Sequence, residues 1–153
     1  MYQNSGYISD RDEKQLITIN LDSSVTSKIY NLQEPITIDR LSDIYIDSFI
    51  SNNITKSDAD HNIIILGVKE FNIKSVSNEP NYNNKIIIPN TNVSTAHPSI
   101  TIAHRATKFN FVANVNPMKL TSLEISLTDN SGTPAAWGSG PDFWVTFMIV
   151  PRK

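Results

Sequence analysis

The chain has no cysteine. That excludes a disulfide framework, a thiolate-held zinc site and a cysteine nucleophile, and it fits a reducing compartment. Charge of either sign is not in excess: 13 Lys and Arg stand against 15 Asp and Glu, a net of −2. The basic surplus that usually marks a nucleic-acid-binding domain is therefore missing. No apolar run is long enough to cross a bilayer, because Phe143 to Val150 falls well short of the roughly 20 residues a helix needs. The opening residues Met1-Tyr2-Gln3-Asn4-Ser5-Gly6 lack the charged-then-apolar order of a signal peptide. There is no internal repeat, and no stretch combines helical period, caps and length.

Two residue types are over-used instead. Isoleucine occurs 21 times and asparagine 17 times, against the usual dominance of Leu, Ala and Gly. The isoleucines load the chain with strand formers, and the asparagines, with Ser and Asp, supply turns. At 153 residues the chain fits one domain with a sizeable core. Residues 1–14 are polar, with Asp10-Arg11-Asp12-Glu13 and no period, and read as an N-terminal arm. Residues 15–153 read as the domain.

Within the domain, Leu16 to Leu21 alternates, with Ile17, Ile19 and Leu21 on one side. Val25 to Leu32 is weaker, and Pro35 to Ile38 is a short segment whose proline suits a strand start or a sheet edge. Asp43 to Ile50 alternates with Ile44, Ile46 and Ile50 on one side. Ile63 to Val68 is a continuous apolar run continued more loosely to Ile73, in which Gly67 marks a bulge or a close approach. Ile86 to Ile88, Ile100 to Ile102, Phe109 to Val112 and the cleanly alternating Ser122 to Thr128 follow. Asp129 to Pro134 is a strong turn. The chain closes on Phe143-Trp144-Val145-Thr146-Phe147-Met148-Ile149-Val150, an aromatic and β-branched run expected as a strand covered on both faces, with Trp144 in the core. About eight to ten short strands at this spacing predict an all-β protein, an antiparallel β-sandwich. A single jelly roll of about eight strands fits better than an immunoglobulin sandwich, whose Cys…Trp…Cys pattern is absent.

Four phrases carry a resemblance: Glu70 to Ile73, Lys85 to Asn90, Phe109 to Leu120 and Phe143 to Lys153. Together, over roughly residues 35–153, they resemble small single jelly-roll penton and minor capsid proteins of large double-stranded DNA viruses of algae and protists. The resemblance implies a non-enzymatic virion protein made in the host cytoplasm. Its partners would be itself, as a homopentamer at a vertex, and other capsid proteins, with no nucleic acid, membrane span or cofactor. A minor capsid or cement protein is the near alternative. The rival from another class is a carbohydrate- or receptor-binding module such as a fibre head.

Candidate sites are sparse. Asp58, Asp60 and His61 offer metal-ligand chemistry, but lack the glycine and closing glutamate of an EF-hand loop and read as a solvated loop. Asp39, Asp43 and Asp47 are spaced for a helix face, yet Ile44 and Ile46 argue for a strand. His97 and His104 flank a strand, but no Gly-x-Ser-x-Gly elbow accompanies them, so no catalytic, metal or cofactor residue is assigned. Asn53-Ile54-Thr55 and Asn92-Val93-Ser94 match the glycosylation pattern and read as chance without a secretory signal. Candidate interaction residues are Tyr2, Tyr7 and Arg11 in the arm, Arg105 and Lys108 in a small basic run, and Trp137 in a Gly/Ser/Pro-rich loop, as a contact anchor, a sugar platform or a lid on the sandwich.

Overall fold

A computed structural model describes residues 14–52, 62–90, 102–105, 111–135 and 142–153. Nine strands run in order: β1 (Gln15–Leu21), β2 (Ser27–Ile38), β3 (Ser42–Asn52), β4 (Ile63–Val68), β5 (Ile86–Pro89), β6 (Ile102–Arg105), β7 (Phe111–Val115), β8 (Met118–Thr128) and β9 (Asp142–Pro151). Among the described residues the only helical turn is a single 3₁₀ turn over Pro80–Tyr82.

All pairings are antiparallel. Sheet one has the order β1-β9-β3-β6, and β7 pairs the same edge of β3 beside β6; sheet two has the order β2-β8-β4-β5. Strand β6 pairs Ser48 to Ser51 of β3 and β7 pairs Ser42 to Tyr45, so the two act as one interrupted strand. The partners then nest: β1 with β9, β2 with β8, β3 with β6 and β7, and β4 with β5. A long hairpin rolled over two sheets in this way is the jelly roll, with eight strand positions.

Alternation supplies the core between the sheets. Ile17, Ile19 and Leu21 of β1 pack with Phe143, Val145, Phe147 and Ile149 of β9 against Leu120, Leu123, Ile125 and Leu127 of β8. The first and last strands pair directly, Ile17 opposite Phe147, as a buried terminal strand requires. Phe71 and Ile73, in the connection after β4, enter the same core. The Phe71 ring meets Phe147 edge-on at 5.0 Å, an arrangement aromatic quadrupoles favour.

Three expectations are corrected. Strand β9 is not covered on both faces: Phe143, Val145, Phe147 and Ile149 are buried, while Trp144, Thr146, Met148 and Val150 point outward and are half-buried. Trp144 is therefore not a core residue, because its position in the two-residue period places it opposite the inward set. In β3 a register shift between Ile46 and Ser48 adds one residue. It turns Phe49 inward, where it is fully buried, and Ile50 outward opposite Trp144; a one-residue slip exchanges faces for everything beyond it. The two weak segments around Tyr30 and Pro35 form one long strand, β2, with an irregularity between Asn31 and Ile36. Pro35 lies in that irregularity on an edge strand, where its missing N–H leaves no ladder bond unmade.

The connections sort to two ends. Those after β1, β3, β5 and β8 leave at the end marked by Leu21, Asn52, Pro89 and Thr128. Those after β2, β4 and β7 leave at the opposite end, with Lys14 and the residues after β9, and the one after β4 doubles back far enough for Tyr82 to meet Asn130. Asp58, Asp60, His61, His97 and Trp137 lie outside the described residues, as do Tyr2, Tyr7, Arg11 and Lys108.

Candidate functional site

The outer face of sheet one is the first candidate. Register places Leu16 opposite Met148, Met148 opposite Tyr45, and Tyr45 opposite Phe111. This is a single row of large apolar side chains across β1, β9, β3 and β7. Its two ends are the most open: Leu16 is 59 % and Phe111 51 % exposed. The Phe111 and Tyr45 rings meet edge-on, with centroids 5.9 Å apart. A register shift after Ile44 brings Phe111 to that position, since without it Val112 would face Tyr45. A second row holds Asn20, Trp144 and Ile50. Between the rows run Thr18, Thr146 and Ser48, with the two threonine hydroxyls 2.9 Å apart. Four strands at ~4.8 Å spacing make the first row about 15 Å wide.

The tail after β9 is pinned beside this face. The Arg152 guanidinium donates to Asp43 Oδ1 from Nε at 2.8 Å and lies 2.7 Å from it through Nη2. The Arg152 amide donates to Leu41 O. The Asp43 carboxylate raises the Arg152 pKa above its ordinary value, through the hydrogen bond first and the charge second. Arg105 stands in β6 in register with Ser48, and His104 with Phe49.

Sheet two presents a different exterior. Ser27 pairs Ser126, Ile29 pairs Glu124, and Gly67 pairs Ser126. A polar hollow of about 430 Å³ opens over this region, lined by Gly67, Asn72, Asn84, Lys85, Glu124 and Ser126 among others. Gly67 sits in ordinary strand backbone, so its role is space. A Cβ there would stand 2.5 Å from Ser126 Oγ and 2.7 Å from Lys85 Cδ. The sequence suggests a bulge or a close backbone approach at Gly67; what crowds it instead is side chain, the Ser126 hydroxyl and the Lys85 stem. Lys85 itself is held by its backbone: its amide donates to Ser75 Oγ at 3.1 Å, and Ser75 Oγ donates back to Lys85 O at 3.2 Å. Asn84, just before it, takes a left-handed φ of 58° and donates its amide to Ser75 O, a conformation Asn tolerates better than most residues. Beside the hollow, Lys69 donates to Glu124 Oε2 at 2.8 Å, and the Glu124 carboxylate raises the Lys69 pKa. The Glu124 amide donates to both Glu70 carboxylate oxygens. Lys85, by contrast, has no ion-pair partner among the described residues.

Two turns at the first end are self-contained. Asp22 accepts from the Ser24 hydroxyl, the Ser24 amide and Lys28, which lower its pKa from 3.8 to about 2. The Asp22 amide donates to the Tyr30 hydroxyl, and burial pushes the Tyr30 pKa up. Asp129 accepts from the amides of Ser131 and Thr133 and from the Thr133 hydroxyl, which closes the predicted turn. Tyr82 donates to the Asn130 side chain and ties the 3₁₀ turn to it.

Among the described residues no group of three or more His, Cys, Asp or Glu side chains is placed to hold a metal ion. No helix among them is long and apolar enough to cross a membrane. The jelly roll and the apolar outer row define a β-sandwich with a sheet face available for contact. No protein-family model matches the chain, and no curated protein matches its sequence.

Proposed function

We propose that this is a structural capsid protein of a large icosahedral DNA virus, working through assembly contacts in the virion. The observation that carries the reading is the Leu16–Met148–Tyr45–Phe111 row. Scattered exposed apolar residues are ordinary, but a contiguous row on a sheet face rimmed by polar groups marks a protein contact surface. The rolled sandwich supports this as a rigid platform. The charge of −2 supports it too, because closely packed like subunits repel if highly charged. The phrases shared with single jelly-roll penton proteins favour a vertex, where a heterologous interface closes into a ring of five. A minor capsid or cement position uses the same face against a different capsid protein.

The test is light scattering coupled to size exclusion, with the double variant Leu16→Ser/Phe111→Ser as partner sample. The wild type is expected as a five-fold assembly and the variant as a folded monomer. A wild type that stays monomeric alone and with its capsid partners, or a variant that assembles as well as wild type, overturns the reading.

A further inference from the structure

The hollow on sheet two is independent of the assembly face and on the opposite side of the sandwich. We propose that it binds a carboxylate-bearing saccharide, a uronic-acid-type sugar, with Lys85 taking the carboxylate and its neighbours taking ring hydroxyls.

The volume of about 430 Å³ lies within the ordinary range of small-ligand sites. The lining joins donors and acceptors: the Ser126 hydroxyl, the Asn72 and Asn84 amides and the Glu124 carboxylate. That mixture suits a polyhydroxylated ring, whose every hydroxyl both gives and accepts a hydrogen bond. The charge pattern selects further. Lys69 is already neutralised by Glu124, whereas half-buried Lys85 has no ion-pair partner among the described residues. Such an ammonium beside a fixed carboxylate favours a ligand with one negative charge at one end and hydroxyls at the other. A phosphate dianion carries twice the charge that the single Lys85 ammonium balances, whereas a uronate carries one. The position is also constructed. Gly67 leaves the space in which the Lys85 stem crosses the strand, and Ser75 and left-handed Asn84 fix the backbone that delivers it. A glycine inside a strand often marks such a close approach.

The test is backbone NMR with a matched pair of probes, methyl glucuronoside and methyl glucoside, which differ in the carboxylate, and with acetate as the charge-only control. The glucuronoside is expected to saturate in the millimolar range, moving the Gly67, Lys85 and Ser126 amides, and to bind at least about tenfold tighter than glucoside or acetate. Lys85→Gln is expected to erase the preference for the glucuronoside over the glucoside, and Lys85→Arg to retain it. An unchanged spectrum away from the hollow shows that each variant is folded. Absence of shifts up to about 50 mM sugar, acetate binding as tightly as the glucuronoside, or a Lys85→Gln variant that keeps the preference each overturns the proposal. The Leu16→Ser/Phe111→Ser protein is expected to bind as wild type does, so failure here and failure of the assembly reading are separate results.

Discussion

The two sheets of the sandwich share one core and differ in how their exteriors are arranged. Inward, both present apolar side chains at alternating positions, aromatic and aliphatic in sheet one and mainly aliphatic in sheet two, where Tyr30, Leu32 and Ile36 of the edge strand are only partly buried. Outward, sheet one offers Leu16, Met148, Tyr45 and Phe111 in one row, with Trp144 and Ile50 in another. Sheet two, around Gly67, offers Ser27, Glu124, Ser126, Lys69 and Lys85, with Ile29 and Ile87 exposed on separate edge strands and not joined in a row. The inner faces are bound to be apolar because they make the core. The outer faces are under no such constraint, so their difference carries the functional information. Apolar side chains facing outward on sheet one are not needed for the fold; they suit a surface that another protein covers. A polar hollow on sheet two suits a small hydrophilic ligand.

The distinction is sharpest within β9, whose two faces are interleaved residue by residue. Phe147→Ala removes a fully buried ring touching Phe71 and is expected to cost about 3–5 kcal/mol. Trp144→Ala removes a larger ring from the outward face and is expected to cost about 1–2 kcal/mol, in line with partial burial. Urea titration of the two variants checks this. Equal losses would mean that the outward face of β9 is covered within the single chain, and would remove the basis for an assembly face. Leu16→Ser/Phe111→Ser is expected to change monomer stability by about 1 kcal/mol or less while abolishing assembly, because its cost falls on the contact and not on the core.

The sequence reading succeeded where the signal is local. Strict alternation in Leu16 to Leu21 and in Ser122 to Thr128 identifies β1 and β8, and the turn chemistry of Asp129 to Pro134 appears as predicted. The rolled topology was legible from strand count, and from an apolar last strand that needed partners early in the chain. What failed was whatever depends on register. Nothing in Asp43 to Ile50 signals the extra residue at Asp47, so simple alternation puts Ile50 on the face of Ile44 and Ile46, whereas it faces outward. The apolar row is invisible along the chain because its four members come from four strands and meet only through pairing. The hollow is not legible in the sequence: Gly67 marks a special position in the strand, but the Lys85 stem beside it enters from the far end of a long connection. Phe71 and Ile73 looked like a fading strand, whereas they plug the side of the core from an irregular segment.

A smaller effect tests how the sheet-one face is bounded. The Arg152–Asp43 pair holds the tail along β3 at the edge of that face, and both partners keep contact with solvent. Arg152→Ala is expected to lower the urea midpoint slightly, with the difference shrinking at high salt as screening weakens the pair. Urea midpoints at low and high salt measure it. A salt-independent loss would mean that the arginine stem packs on the strand instead of pairing through its charge.

The smallest expected effect lies in the polar turn after β1 and has a definite sign with pH. The Ser24 hydroxyl and amide, with Lys28, hold the Asp22 pKa at about 2, below its ordinary 3.8. A depressed carboxylate binds its proton more weakly in the folded than in the unfolded chain. The unfolded chain therefore takes up protons first as pH falls, and stability falls with it. The contribution is fully present above the unfolded value of 3.8 and fades as pH drops toward about 2. Asp22→Asn should be less stable than wild type at about pH 5, and the gap should narrow as the pH approaches 2. Because Asp22 is solvent-exposed, the gap at neutral pH should also shrink with added salt. Parallel urea titrations across that window decide the matter. A gap that stays constant with pH would assign the role of Asp22 to turn geometry, which its isosteric amide would then have disturbed, and not to the charge its hydrogen bonds stabilise.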